Sequence, residues 1–383
     1  MKRAGLLLVA LSLVAGLLPI RGLAADLNVS GKSAVLMDVA TGTILYEQNA
    51  TEPLAPASVT KVMTMLLIME AIDSGRIGWD DPVTASEAAA AKGGSQIYLK
   101  VGESMSVSDM VKSIAVSSAN DCACAMAEHL AGSESAFVDL MNRRAQELGM
   151  ENTHFVNCTG LDDGAEAVNH RTSARDIAIM SRELLKNHPD IKKFTTIWMD
   201  TVRNGAFGLS NTNKMVRFYD GCTGLKTGFT SGAGYCLSAS AQRNGLELIA
   251  VVMGSATSAD RFAACKGMLD YGFANFALYE PVVQEGASVP VTLGKSGTVG
   301  LIPKGDTQLL VEKAQAGSIV TEVELAESAK APIAAGVELG TMVIKAGDRV
   351  LKEIPLVAES GVDRLTWGDL TVLMLRQVAM AKS

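Results

Sequence analysis

The chain has 383 residues, 48% of them hydrophobic and 20% charged, with a formal net charge of −7. That length accommodates a catalytic unit with a smaller companion, and the balance is that of a folded globular protein. An acidic chain without a basic stripe excludes nucleic acid as a partner, and four histidines without an H-E-x-x-H pattern give no support to a metal site or cofactor.

In chain order, Met1-Lys2-Arg3 is a short positive start and Leu6 to Leu18 an almost unbroken apolar run. Small residues follow around Gly22-Leu23-Ala24-Ala25. This is the order of a secretory signal peptide over residues 1–25, cut after Ala24 or Ala25; the run is short for a bilayer. The expectation is an exported protein. Six cysteines remain: Cys122, Cys124, Cys158, Cys222, Cys236 and Cys265. An even number in an exported chain permits disulfides, but a chain this large does not need them, and we read them as small core-filling thiols.

Ser33 to Asn49 reads as a β-hairpin turning at Thr41-Gly42. After the proline-containing loop Thr51 to Ala57, Ser58 opens a run with Val62, Leu66 and Met69 at helical spacing. Ser86 to Lys92, Val107 to Ile114, Asp121 to Leu130 and Ser135 to Leu148 read as helices, with a polar turn at Ser117 to Asn120. Asn157 to Thr172 is a polar loop, and Ser173 caps a helix running to Leu185. Leu225 to Met253 is strand-like, and Asp260 to Phe276 is helical again. Residues 26–280 therefore form one domain. From 281 to 360 short β-rich runs are separated by glycine and proline, which predicts a small β domain. In the tail, 361–383, Trp367, Leu370, Met374, Val378 and Ala381 fall on one helical stripe opposite Asp369 and Arg376.

Three short motifs stand in order: Ser58-Val59-Thr60-Lys61, Ser118-Ala119-Asn120 and Lys226-Thr227-Gly228. A serine hydroxyl is a poor nucleophile until a neighbouring base takes its proton. On a helix, residues three apart share a face, so Lys61 lies beneath Ser58. Burial beside Lys226 would lower the Lys61 pKa enough for it to act as that base. Ser118 is suited to relay a proton, and Asn120 to hold both Lys61 and a substrate amide. Lys226-Thr227-Gly228 opens a strand whose backbone suits pairing with an extended peptide. Gly228 allows close approach, and the N–H groups of Phe229 and Ser58 are candidates for an oxyanion hole.

With these motifs the sequence resembles the low-molecular-mass penicillin-binding proteins, serine-type D-alanyl-D-alanine carboxypeptidases. Further likeness lies in Pro56-Ala57-Ser58, Asn152 to Asn157, Thr159-Gly160-Leu161-Asp162, Ser173-Ala174-Arg175-Asp176 and Gly224-Leu225-Lys226. The resemblance implies an α/β (α+β) transpeptidase-like sandwich, an antiparallel sheet flanked by helices, plus a C-terminal all-β domain. It implies that Ser58 is acylated by the penultimate D-alanine of a peptidoglycan stem peptide, releasing the last one, and that β-lactams trap the same serine. Thr227 and Arg261 match positions that bind the terminal carboxylate, whereas His154 and Asp176 read as structural. The tail matches a membrane-interface anchor on the outer face of the cytoplasmic membrane. A DD-endopeptidase shares these catalytic groups. A β-lactamase of class A needs an E-x-x-L-N segment, where this chain has Glu183 to Asn187 without the leucine. A non-catalytic wall-binding protein would not need the intact motifs.

Overall fold

The structure is a computed structural model that describes residues 27, 29–281 and 286–380. The predicted signal peptide lies outside these residues, as does Ala381 of the predicted tail stripe.

The first domain is built on a five-stranded antiparallel sheet of β1 (Ser33–Asp38), β2 (Ile44–Gln48), β3 (Cys222–Thr230), β4 (Gly234–Arg243) and β5 (Leu246–Ser255), in the order β2-β1-β5-β4-β3. Strand β1 is buried throughout, and its alternate residues feed two different cores. Val35 and Met37 face the larger one, packed by α1 (Lys61–Asp73), α2 (Val107–Ser117), α3 (Asn120–Ala131), α4 (Glu134–Glu147) and α5 (Ala174–Asn187). Ala34 and Leu36 face the smaller one, covered by α6 (Ser258–Asn275) through Cys265, Met268, Leu269 and Phe273. Helices on both faces of an antiparallel sheet are the predicted architecture.

Helix α1 is buried on every side. Besides Val62, Leu66 and Met69 it encloses Met63, Met65, Leu67, Ile68 and Ala71, as expected for a helix inside a core rather than on its surface. Ser106, Ser133 and Ser173 each accept an N–H of the first turn of α2, α4 and α5, which fixes where those helices start.

The C-terminal sheet has six strands, β6 (Ser288–Thr292), β7 (Thr298–Pro303), β8 (Ile319–Leu325), β9 (Ala329–Lys330), β10 (Glu338–Ala346) and β11 (Arg349–Ala358), in the order β8-β10-β11-β7-β6-β9. It closes over its own core of Val289, Leu301, Ile344, Ile354 and Leu356. The two halves are stitched together. Phe276–Tyr279 pairs antiparallel with Leu309–Glu312, and Leu310 inserts into the smaller core of the first domain.

The last helix, α7 (Trp367–Met380), starts on a capping pair in which Thr366 N and Oγ1 donate to Asp369 and Asp369 N donates back to Thr366. Trp367, Val372, Met374 and Leu375 are exposed. Among the described residues no helix is long and apolar enough to cross a membrane.

All six cysteines are free; Cys222 is half-buried and the others are buried. Cys122 and Cys124 fill the larger core, while the Cys124 and Cys158 thiols point at the two oxygens of Glu134.

Candidate active site

Ser58 stands on a single 3₁₀ turn, Ala57–Thr60, that runs directly into α1. Ala57 holds a left-handed backbone, φ +48°, which turns the serine away from the core. One turn on, Lys61 is fully buried, with Nζ 3.0 Å from Ser58 Oγ and donating to the Thr159 carbonyl at 2.7 Å. Burial brings its pKa down to about 7, against the opposing influence of Cys158 and Asp121. A lysine so placed has the distance and the pKa to exchange a proton with the serine hydroxyl near neutrality.

Ser118 ends α2 in the left-handed region, φ +62°, and Asn120 begins α3. The Asn120 backbone N donates to Ser95 O and its Nδ2 to Gly93 O, each at 2.7 Å. Ser118 Oγ and Asn120 Oδ1 are buried and have no partner among the described residues. Unsatisfied buried polar atoms are costly, and two at the break between α2 and α3 mark a place where a ligand's polar groups can complete the network.

The third wall is β3, the free edge of the sheet. A Cβ on Gly228 would lie 2.6 Å from Pro56 O and 3.1 Å from Ser58 N, so only glycine lets this strand approach the nucleophile turn. Lys226 is buried, its Nζ on the Thr227 carbonyl, and burial with the charge of Lys61 pushes its pKa well down. The charge effect expected of Lys226 on Lys61 therefore appears on Lys226, and burial alone drives the Lys61 shift. Thr227 Oγ1 donates to Thr212 Oγ1 at 2.6 Å. Phe229 is half exposed and leans on Tyr235 with ring centroids 4.3 Å apart. Arg261 reaches from α6 to the back of the same strand, donating to Gly228 O at 2.8 Å and Cys236 O at 3.2 Å. In this arrangement it braces the strand that carries Thr227 and Gly228.

The sequence model of the peptidase S11 family, D-alanyl-D-alanine carboxypeptidase, matches residues 22–257, and that of the penicillin-binding protein 5 C-terminal domain matches 279–364. The chain belongs to the D-alanyl-D-alanine carboxypeptidase family. It is 43% identical over 346 residues to D-alanyl-D-alanine carboxypeptidase DacF of Bacillus subtilis, covering 88% of this chain and 87% of that one. The crystal structure of penicillin-binding protein 5 from Haemophilus influenzae superimposes with a TM-score of 0.76 at 31% identity, covering 88% of this chain and 98% of that one. Penicillin-binding protein D2 from Listeria monocytogenes, solved in an ampicillin-bound form, gives 0.57 at 32% identity over 65% of this chain and all of its own.

Several residues around this family's motifs were invisible to motif reading. His170 is buried, its Nδ1 accepting Val156 N–H at 3.1 Å and its Nε2 2.7 Å from Thr60 Oγ1. With Nδ1 accepting, Nε2 carries the proton and donates to Thr60, which in turn donates to Ala57 O at 2.8 Å. This chain of bonds fixes the left-handed residue before the nucleophile. Burial lowers the His170 pKa to about 4, which keeps the ring neutral. Thr212 and the carbonyl of Thr159 likewise had no motif; Thr159 lay only in a family-like stretch. Asp121 is buried behind Asn120 and accepts the N–H groups of Ile97 and Leu99.

His154 contributes a backbone bridge to Arg171, and Asp176 accepts from Asn152 N and Thr153 Oγ1, in line with the structural reading of both. Glu183 accepts from Arg144 at 2.7 Å, as does Glu70. Glu70, Glu183 and His188 have the spacing of metal ligands, but the Arg144 guanidinium already supplies the cation there.

Proposed function

We propose that this protein is a serine D-alanyl-D-alanine carboxypeptidase that removes the terminal D-alanine from peptidoglycan stem pentapeptides and is covalently blocked by β-lactams. The observation that carries the reading is the fully buried Lys61 Nζ, 3.0 Å from Ser58 Oγ, with a pKa of about 7. Neutral Lys61 takes the hydroxyl proton as Ser58 Oγ attacks the penultimate D-alanyl carbonyl. The C–N bond then breaks, and a proton returned through Lys61 and Ser118 leaves with D-alanine. Water, deprotonated in the same way, attacks the ester and regenerates Ser58. Asn120 and the edge of β3 hold the substrate backbone, and Thr227, with Arg261 behind it, faces the terminal carboxylate. The backbone N–H groups of Ser58 and Phe229 form the oxyanion hole.

The remaining assignments are part of the same reading: a cleaved leader at 1–25, a catalytic domain to 280, a β domain over 281–360 and export to the outer face of the cytoplasmic membrane. The exposed Trp367, Met374 and Leu375 of α7 support insertion of that helix into the membrane interface. Deleting residues 361–383 then moves the protein from the membrane fraction to the soluble one.

Intact-mass spectrometry after incubation with benzylpenicillin tests the central claim. A penicilloyl adduct is expected on the wild type and none on Ser58→Ala. A folded wild type that takes up no adduct overturns the acyl-enzyme reading.

A further inference from the structure

The segment from Gly93 to Leu99 begins at the site, where Gly93 and Ser95 give their carbonyls to Asn120. It ends on two buried anchors, Ile97 and Leu99, with Tyr98 between them 69% exposed and held at φ +59°. A left-handed backbone on a bulky aromatic residue is strained and persists only where its surroundings over-determine it. Here they do. The Asp121 carboxylate accepts both flanking N–H groups, Ile97 at 3.1 Å and Leu99 at 3.0 Å. The Arg203 guanidinium donates to both flanking carbonyls, Ile97 O at 2.7 Å and Tyr98 O at 3.2 Å. A carboxylate adjacent to Asn120 and an arginine at the turn of the hairpin between Met199–Val202 and Phe207–Ser210 together hold the ring outward.

The ring does not stand alone. Phe207 meets it edge-on, centroids 6.3 Å apart, and Arg203 lies over the Phe207 ring. The Phe207–Ser210 strand runs on into Thr212, whose hydroxyl receives that of Thr227. The Tyr98–Phe207 contact thus links the segment bonded to Asn120 with the strand that leads, five residues on, to Thr212. Under the carboxypeptidase reading, Thr227 marks the end of the groove where the departing residue and its carboxylate sit.

We propose that Tyr98 is a specificity-determining residue that limits the side chain of the departing amino acid to about the size of alanine. The proposal rests on the carboxypeptidase reading and narrows it. A terminal D-alanine fits beneath the Tyr98–Phe207 pair, whereas the longer residue that departs when a cross-link is cut meets the ring. Excluding a bulky group with a fixed aromatic wall is a steric device, and its selectivity is lost when the wall is removed.

The test compares diacetyl-L-lysyl-D-alanyl-D-alanine with the analogue that ends in Nε-acetyl-D-lysine. The readout is the ratio of the two kcat/KM values, which a general loss of folding or catalysis does not change. Tyr98→Ala and Tyr98→Gly are each expected to lower the wild-type preference for D-alanine at least tenfold, and Tyr98→Phe to keep it. Glycine accepts the left-handed backbone, so Tyr98→Gly is also expected to melt no lower than the wild type. Ratios within twofold of the wild type in both truncations overturn the proposal. A wild type that neither hydrolyses the D-alanine substrate nor forms a penicilloyl adduct overturns the parent reading and the proposal with it.

Discussion

In the proposed mechanism the base is Lys61, and its titration follows from its surroundings. A lysine with no water around it favours the neutral form, and at about 7 its pKa sits where a general base is most useful. The acylation rate is therefore expected to rise with pH through about 7 and then level off, falling roughly tenfold per unit on the acid side. Stopped-flow measurement of penicillin acylation from pH 5 to 9 checks this; a flat profile excludes Lys61 as the titrating base. His170 acts on stability, with the same direction of pH dependence. Its pKa falls from 6.5 to about 4 on burial, so the unfolded chain takes up the proton first. The contribution is complete above about pH 6.5 and drains as the pH drops toward 4, by on the order of 3 kcal/mol. His170→Ala removes that pH dependence and leaves Thr60 and the Val156 N–H short of a partner, at a further cost of about 1–3 kcal/mol. Urea unfolding at pH 5 and pH 7.5 separates the two effects.

At the level of elements, the site is a meeting of three ends: the 3₁₀ turn into α1, the break between α2 and α3, and the free edge of β3. None of the three holds the geometry by itself. The contact between Gly228 and the Pro56–Ser58 backbone joins the first to the third, and a methyl group there would lie 2.6 Å from Pro56 O. Gly228→Ala is accordingly expected to slow acylation about a hundredfold through displacement of the strand, with little change in melting temperature. A normal rate in that variant would mean that the turn and the strand move apart without consequence, contrary to the packing seen here.

For the molecule as a whole, the β domain is a structural partner of the catalytic one. Leu310 completes the smaller core and Lys313 donates to Phe273 O at the end of α6. A chain truncated after residue 280 loses both. Exposing the Leu310 site costs about 2–3 kcal/mol, which for a domain of this size lowers the melting temperature by about 4–10 °C. Penicillin acylation should survive within a factor of two, because every site residue lies between Ala57 and Arg261. Calorimetry with a parallel acylation assay checks both halves.

Much was legible from the order of residues alone. Ser58 and Lys61 share a face because helical geometry puts them there, and Lys226-Thr227-Gly228 stands in a stretch whose residues read as strand. The helix start at Ser173 obeys local capping chemistry, and the apolar tail stripe is a matter of period. What the sequence could not decide are the contacts between residues far apart in it. His170 reaches Thr60 across 110 positions and Thr159 reaches Lys61 across 98. The clamp on Tyr98 joins Asp121 and Arg203 around a backbone angle that no local pattern announces. Local rules specify which groups are available, but burial, pKa and strain depend on what surrounds a group, and only the tertiary structure brings those surroundings together.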